Sequence, residues 1–195
     1  MTGQSFVVQL VSGRSGRIDA ARDHAILGKE RHDIGRTDGD QLSVGYPARA
    51  IRTDQYLYVR NFKPDRWPAG DPAYGFLNTD GSPTKSLLTS LSSDDEQHRY
   101  FEMSFGKRPG EELYDVLADP DCVENLAGVA AHAGLKQKLW DQLEAELIAQ
   151  GDPRTLGKGA IFDDYPNCRI DRQRTLYKKP DYDPEKRFRE KYPTK

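Results

Sequence analysis

GYPARAIRTDQYLYVRNF, residues 45–62, carries the clearest pattern in this 195-residue chain. Ala48, Ala50 and, past a turn, Tyr56, Tyr58 and Arg60 alternate with Arg49, Ile51, Leu57 and Val59. Alternation of this kind puts successive side chains on opposite faces of a strand. Thr53-Asp54-Gln55 supplies the turn, so the segment reads as a β-hairpin. Pro47 stands where the first strand begins, a place that tolerates its missing N–H.

Working outward, HAILGKERH reads as a strand that runs into a polar end at Lys29, Arg31 and His32. On the other side, KPDRWPAGDPAYGF holds Pro64, Pro68, Gly70, Pro72 and Gly75, which makes it a shaped loop rather than a flexible linker. SPTKSLLTSL predicts a short helix with Ser82 as its cap and Pro83 in its first position. SSDDEQHRYFEMSF predicts a second helix whose first turn is acidic. A further strand is expected over 112–116. Leu135, Leu139, Leu143 and Leu147 then recur every four residues with Trp140 beside them, an amphipathic helix ended by Gly151 and Pro153.

The fold class read from these signals is α+β: a small antiparallel β-sheet packed by one long amphipathic C-terminal helix, with long ordered loops. Residues 1–166 form the expected domain, and 167–195 an extended tail. In that tail, from Arg169 on, ten Lys/Arg face five Asp/Glu, with Tyr177, Tyr182, Phe188 and Tyr192 interleaved. Such a tail can touch phosphates and bases, or lie solvated on an acidic body. A net charge of -2 gives no general pull towards nucleic acid, which is not an expected partner.

Composition narrows the class further. Only 36% of residues are apolar and the mean hydropathy is -0.82, so there is little core per residue. A chain of this kind carries flexible segments or completes its packing on a partner. No run approaches the ~18 apolar residues of a membrane span, and no membrane partner is expected. The opening residues lack the basic start and long apolar stretch of an export signal. Cys122 and Cys168 have no metal-type spacing, and their disulfide state stays open.

The chain has no glycine-rich phosphate loop, no His-Glu-x-x-His helix and no Gly-x-Ser-x-Gly elbow. His24, His32, His98 and His132 are scattered, and no metal ligands are assigned. Asp163-Asp164, after two apolar residues, resembles a strand-end pair holding a divalent cation through its oxygens, and Asp94-Asp95 is a weaker candidate; the plainer readings are a turn and a helix start. What remains is cationic: Lys29, Arg31 and His32 at a strand end, and Arg49, Arg52 and Arg60 on the hairpin. Guanidinium groups hold sulfate, phosphate and carboxylate through paired N–H donors. The same residues also suit edge-strand charges paired with Asp or Glu.

In order along the chain, MTGQSF, GKERHD, GYPARAIRTDQYLYVRNFKPDRWPAGDP, FGKRPGEELYDVLADPDCVENLA and GDPR resemble the C-terminal part of sulfatases. These belong to the alkaline-phosphatase-like superfamily, and the likeness is to the heparan N-sulfatase (N-sulfoglucosamine sulfohydrolase) type. It runs from Met1 to Tyr165. The resemblance implies a small antiparallel sheet and long helix docked beside a large catalytic domain, in a protein that works in the periplasm or outside the cell. It also makes the loop at 28–33 a border of the substrate pocket. Lys29, Arg31 and His32, with Arg49, then become the residues expected to touch a sulfated glycan. The family's formylglycine, made in a Cys/Ser-x-Pro-x-Arg motif, and its Ca2+ have no counterpart here. Both are expected in a missing N-terminal catalytic domain, the implied partner, and no catalytic residue or cofactor is assigned to this chain. By that resemblance it is inactive alone. The alternatives are a stand-alone anion- or glycan-binding module and a non-catalytic structural remnant.

Overall fold

A computed structural model describes residues 3, 5–32, 35–39, 41–166 and 175. The tail expected over 167–195, including Cys168, therefore lies outside the described residues, apart from Thr175. The fold is α+β. A four-helical-residue turn, α1 (Val7–Leu10), precedes strands β1 (His24–Lys29), β2 (Thr37–Asp38), β3 (Gln41–Leu42), β4 (Ala48–Thr53) and β5 (Tyr56–Asn61). Helices α2 (Pro83–Ser90) and α3 (His98–Phe105), strand β6 (Glu111–Asp115), helix α4 (Ala133–Ala149) and a short α5 (Ile161–Asp164) follow.

Four strands form one sheet in the order β1-β4-β5-β6. The hairpin stands as read, turning at Asp54-Gln55. Antiparallel neighbours show in the flanking bonds: Val116 N donates to Gln55 O while Asn61 N donates to Gly110 O. The two-residue strands β2 and β3 pair separately, Thr37 opposite Leu42 and Asp38 opposite Gln41. No sequence signal marked them, because two residues are too few to show a period.

The described residues divide into two compact units. The first runs up to Gly28 and adds Arg49–Arg60 and Glu112–Lys158; the second holds Lys29–Ala48, Asn61–Glu111 and the chain from Gly159 onward. In the first, Leu139, Leu143 and Leu147 of α4 bury against Ile51, Tyr58 and Leu113 of the sheet. The four-residue leucine repeat does what its spacing requires: it places one apolar stripe on the sheet. Gly151 closes α4 at φ 72, and Asp152 N reaches back to Leu147 O at 2.9 Å. A left-handed glycine in this position takes up the orphan carbonyls of the last turn.

The second unit has a small aromatic core of Ala69, Phe76 and Phe105, with Trp67, Leu88 and Phe101 packed on it. Helix α2 begins as expected, Ser82 Oγ accepting from Lys85 N at 3.1 Å with Pro83 in the first position. The acidic first turn expected of α3 is corrected. Asp94 and Asp95 precede the helix, which starts at His98. Asp95 Oδ1 accepts from Gln97 N at 2.7 Å, so the carboxylate stabilises a turn and competes with helical bonding there.

Candidate functional site

The polar end of β1 is a built loop. Tyr46 N donates to Glu30 O at 2.8 Å, and a Cβ on Gly45 would sit 2.8 Å from that same carbonyl. Only glycine permits the approach. Arg31 reaches across with both terminal nitrogens, Nη1 to Ser43 O at 3.3 Å and Nη2 to Tyr165 O at 2.8 Å. Ser43 is itself buried in the left-handed region at φ 61. Lys29 and His32 are exposed, and Arg31 is half-buried. Desolvation, and secondarily the charge of Arg36, lowers the Lys29 pKa. Arg31 is thus anchored in the second unit, with Lys29 and His32 exposed near it in the chain.

Two arginines that the sequence reading passed over hold this unit together. Arg36 is 1% exposed and donates Nε to Trp67 O at 2.6 Å, Nη2 to Pro68 O at 2.8 Å and Nη1 to Val44 O at 3.3 Å. Its guanidinium also lies over the Tyr46 ring, 5.6 Å from the centroid. Burial, and then the charge of Arg66, bring its pKa down to about 10, so it stays protonated at neutral pH. Arg66 pairs with Asp38 through Nε and Nη2 at 2.9 and 2.7 Å. Its Nη1 donates to Gly45 O and to Asp163 Oδ2, each at 2.9 Å. The one sequence clue was the density of prolines and glycines around them, which leaves many loop carbonyls in need of donors.

Arg49, named from sequence with Lys29, Arg31 and His32, lies in the first unit. It is buried and places Nε and Nη2 on Asp152 Oδ2 at 2.9 and 2.8 Å. Gly28 makes the room: a Cβ there would meet Arg49 Cδ at 3.3 Å. Burial works against the Asp152 charge, but the Arg49 hydrogen bond and the N–H groups of Thr155 and Arg154 outweigh it and hold the carboxyl below its ordinary pKa. Arg60 stacks on Trp140 at 5.2 Å from the ring centroid.

Asp163 does not suit a cation. Its Oδ1 accepts from Gly45 N at 2.7 Å and its Oδ2 from Arg66, so both oxygens face donors. Among the described residues no three His, Cys, Asp or Glu converge as metal ligands. These donors do not fit a resident Ca2+. Burial and the nearby Asp119 raise the Cys122 thiol above its usual pKa, the opposite of an activated nucleophile.

What this loop offers is one anchored guanidinium, a group whose N–H donors suit an oxyanion. No family model matches the chain. Among curated proteins it is 26% identical over 166 residues to an ulvan-active sulfatase of Formosa agariphila, covering 83% of this chain. The likeness is to a sulfatase. It is a distant one and supports that family and nothing narrower. The matched part is 24% of that relative, so this chain spans about a quarter of its length.

Proposed function

We propose that this chain is the C-terminal, substrate-flanking portion of a sulfatase acting on sulfated glycans. Lys29, Arg31 and His32 form the wall that receives a sulfate group, while Arg49, expected beside them, is held by Asp152 in the other unit. The observation that carries this is the anchored Arg31 loop in a chain similar to about a quarter of a sulfatase. Formylglycine and Ca2+ belong to the remaining polypeptide, which is the partner, and the isolated chain binds without turnover. Phe6, Val7, Val8, Leu10 and Val11, each 58–77% exposed, supply apolar surface consistent with such a partner.

The sequence resemblance favours a heparan-type N-sulfated glycan; the relative's name favours ulvan. Calorimetric titration of the chain with each sulfated oligosaccharide, and with its desulfated counterpart, tests both. Expected is saturable binding of one sulfated form, weakened about tenfold or more in Arg31→Ala and in His32→Ala, as loss of a charge-assisted contact requires. Sulfate released by the chain alone would refute the division of labour. Equal binding of sulfated and desulfated forms would refute the wall.

A further inference from the structure

A groove of about 470 Å³ opens in the first unit, between the β4–β5 turn and the first half of α4. Small-ligand sites run from about 300 to 1,000 Å³, so the groove has room for one or more sugar-sized rings. Tyr56 and Leu135 are half-buried; they pack on the leucine core and also line the groove, giving it an apolar floor. Around that floor stand Arg17, Asp23, Asp54, Lys138 and Gln142. Two carboxylates and two cations cancel, so the lining carries no net charge at neutral pH.

The hydrogen-bonding capacity of these side chains is only partly used within the protein. A carboxylate has about four acceptor positions. Asp54 Oδ1 takes Arg17 Nη2, and Asp23 Oδ1 takes His24 Nδ1 at 2.7 Å, which leaves acceptor positions on both. Lys138 is exposed on α4 and brings three donors. Gln142 Nε2 meets His24 Nδ1 at 3.3 Å, and its carbonyl oxygen is a further acceptor. The Arg17–Asp54 pair is itself exposed, so either member can turn to a ligand at little cost. Donors and acceptors are thus mixed around an apolar floor. An ion of one sign would lose beside its like charges what it gained beside the others. A hydroxyl both donates and accepts, so a ring bearing several of them can use the whole set while its C–H face rests on Tyr56 and Leu135.

We infer that this groove binds an uncharged sugar ring of a glycan. The site requires nothing of the Arg31 loop and does not rest on the sulfatase reading. The experiment is a titration of the full chain with cellohexaose and, separately, with maltohexaose, two neutral glycans of different curvature, followed by amide chemical shifts. Expected are saturable shifts at 53–56 and 135–142 with at least one of the two. Hexagalacturonate, which has a carboxylate on every ring, is expected to bind no tighter, because the lining offers an anion no net attraction. Asp54→Ala combined with Lys138→Ala changes two exposed side chains outside the core. That double variant is expected to keep its melting profile and to weaken binding about tenfold or more, the scale of losing hydrogen bonds to charged groups. No saturable shift with either neutral glycan, shifts confined to 29–32, tighter binding of hexagalacturonate, or undiminished binding in the double variant would each overturn the proposal.

Discussion

The two compact units solve the same problem with opposite chemistry. In the first, six apolar side chains from α4, β4, β5 and β6 are nearly excluded from water, and each contributes by area buried. In the second, the aromatic core is small, and the most deeply buried large side chain is Arg36. There the loops are long and rich in proline, so few of their carbonyls find partners in a ladder. Guanidinium groups, with five N–H donors in a fixed plane, supply those partners from inside. A leucine core tolerates small losses gradually, whereas a buried charge network is stable only when every member is satisfied.

The sharpest way to break the contrast is at Arg66. Arg66→Met leaves the Asp163 carboxylate, only 7% exposed, without its cation and withdraws a donor from Gly45 O. Loss of one partner from a buried pair costs roughly 3–5 kcal/mol, so urea unfolding should show a loss of about 4. Arg66→Lys should recover little, since one ammonium cannot serve Asp38, Asp163 and Gly45 O in the same geometry. Next comes Leu143→Ala, at the centre of the leucine core and fully buried. A cavity there costs about 3 kcal/mol on the scale of such substitutions. Hydrogen exchange separates the two: Arg66→Met should expose amides of 35–39, 41–46 and 61–71 first, and Leu143→Ala those of β5 and α4.

This difference also governs how much of the molecule could be read beforehand. Strand alternation at 48–60 and the four-residue spacing of Leu135 to Leu147 are periodic, and periodicity is a direct imprint of burial on one face. The first unit was therefore legible, hairpin and long helix included. Arg36 and Arg66 sit in GRTDG and PDRWP, where no repeat announces which side chain turns inward. Arginine is taken for a surface residue by default, and here that default fails. The exposure of the loop was legible for a different reason: four ionisable side chains in a row, Lys29 to His32, cannot all be buried. Which carbonyls would pin Arg31 was not, since Ser43 and Tyr165 lie 12 and 134 residues away.

Charge placement in the first unit gives two smaller, pH-dependent tests. The folded pKa of Asp152 lies below its ordinary 3.8, so its contribution is complete above that value and disappears as pH falls through the folded pKa. Asp152→Asn should flatten the acid limb of the stability curve below about pH 4. His24 has the opposite sign. Its hydrogen bond to Asp23 raises its pKa above 6.5 against partial burial, with Glu146 adding to the effect. The imidazole bridges Asp23 Oδ1 and Glu146 Oε1, each at 2.7 Å, and so ties β1 to α4. The stabilisation is therefore full below pH 6.5 and is lost as pH rises through the higher folded value. Thermal melts from pH 5.5 to 8.5 should fall by a degree or two more in the parent than in Glu146→Gln, a difference of about 0.5 kcal/mol. Equal slopes would show that the bridge contributes nothing.

The smallest effect is expected where an ion pair looks just as good on geometry but stands in water. Arg17 and Asp54 are hydrogen-bonded, yet their side chains are 37% and 76% exposed. At that exposure the attraction is screened, and holding two mobile side chains together cancels much of it. Asp54→Asn should change unfolding free energy by less than about 0.5 kcal/mol. That figure is an eighth of the loss expected at Arg66, for the same guanidinium–carboxylate chemistry. Desolvation is the variable that separates the two sites, because a buried partner left alone keeps its charge and has lost both water and counter-ion. A loss of 2 kcal/mol or more at Asp54 would mean that geometry sets the value of these pairs, and the division between a leucine unit and a cation-held unit would lose its physical basis.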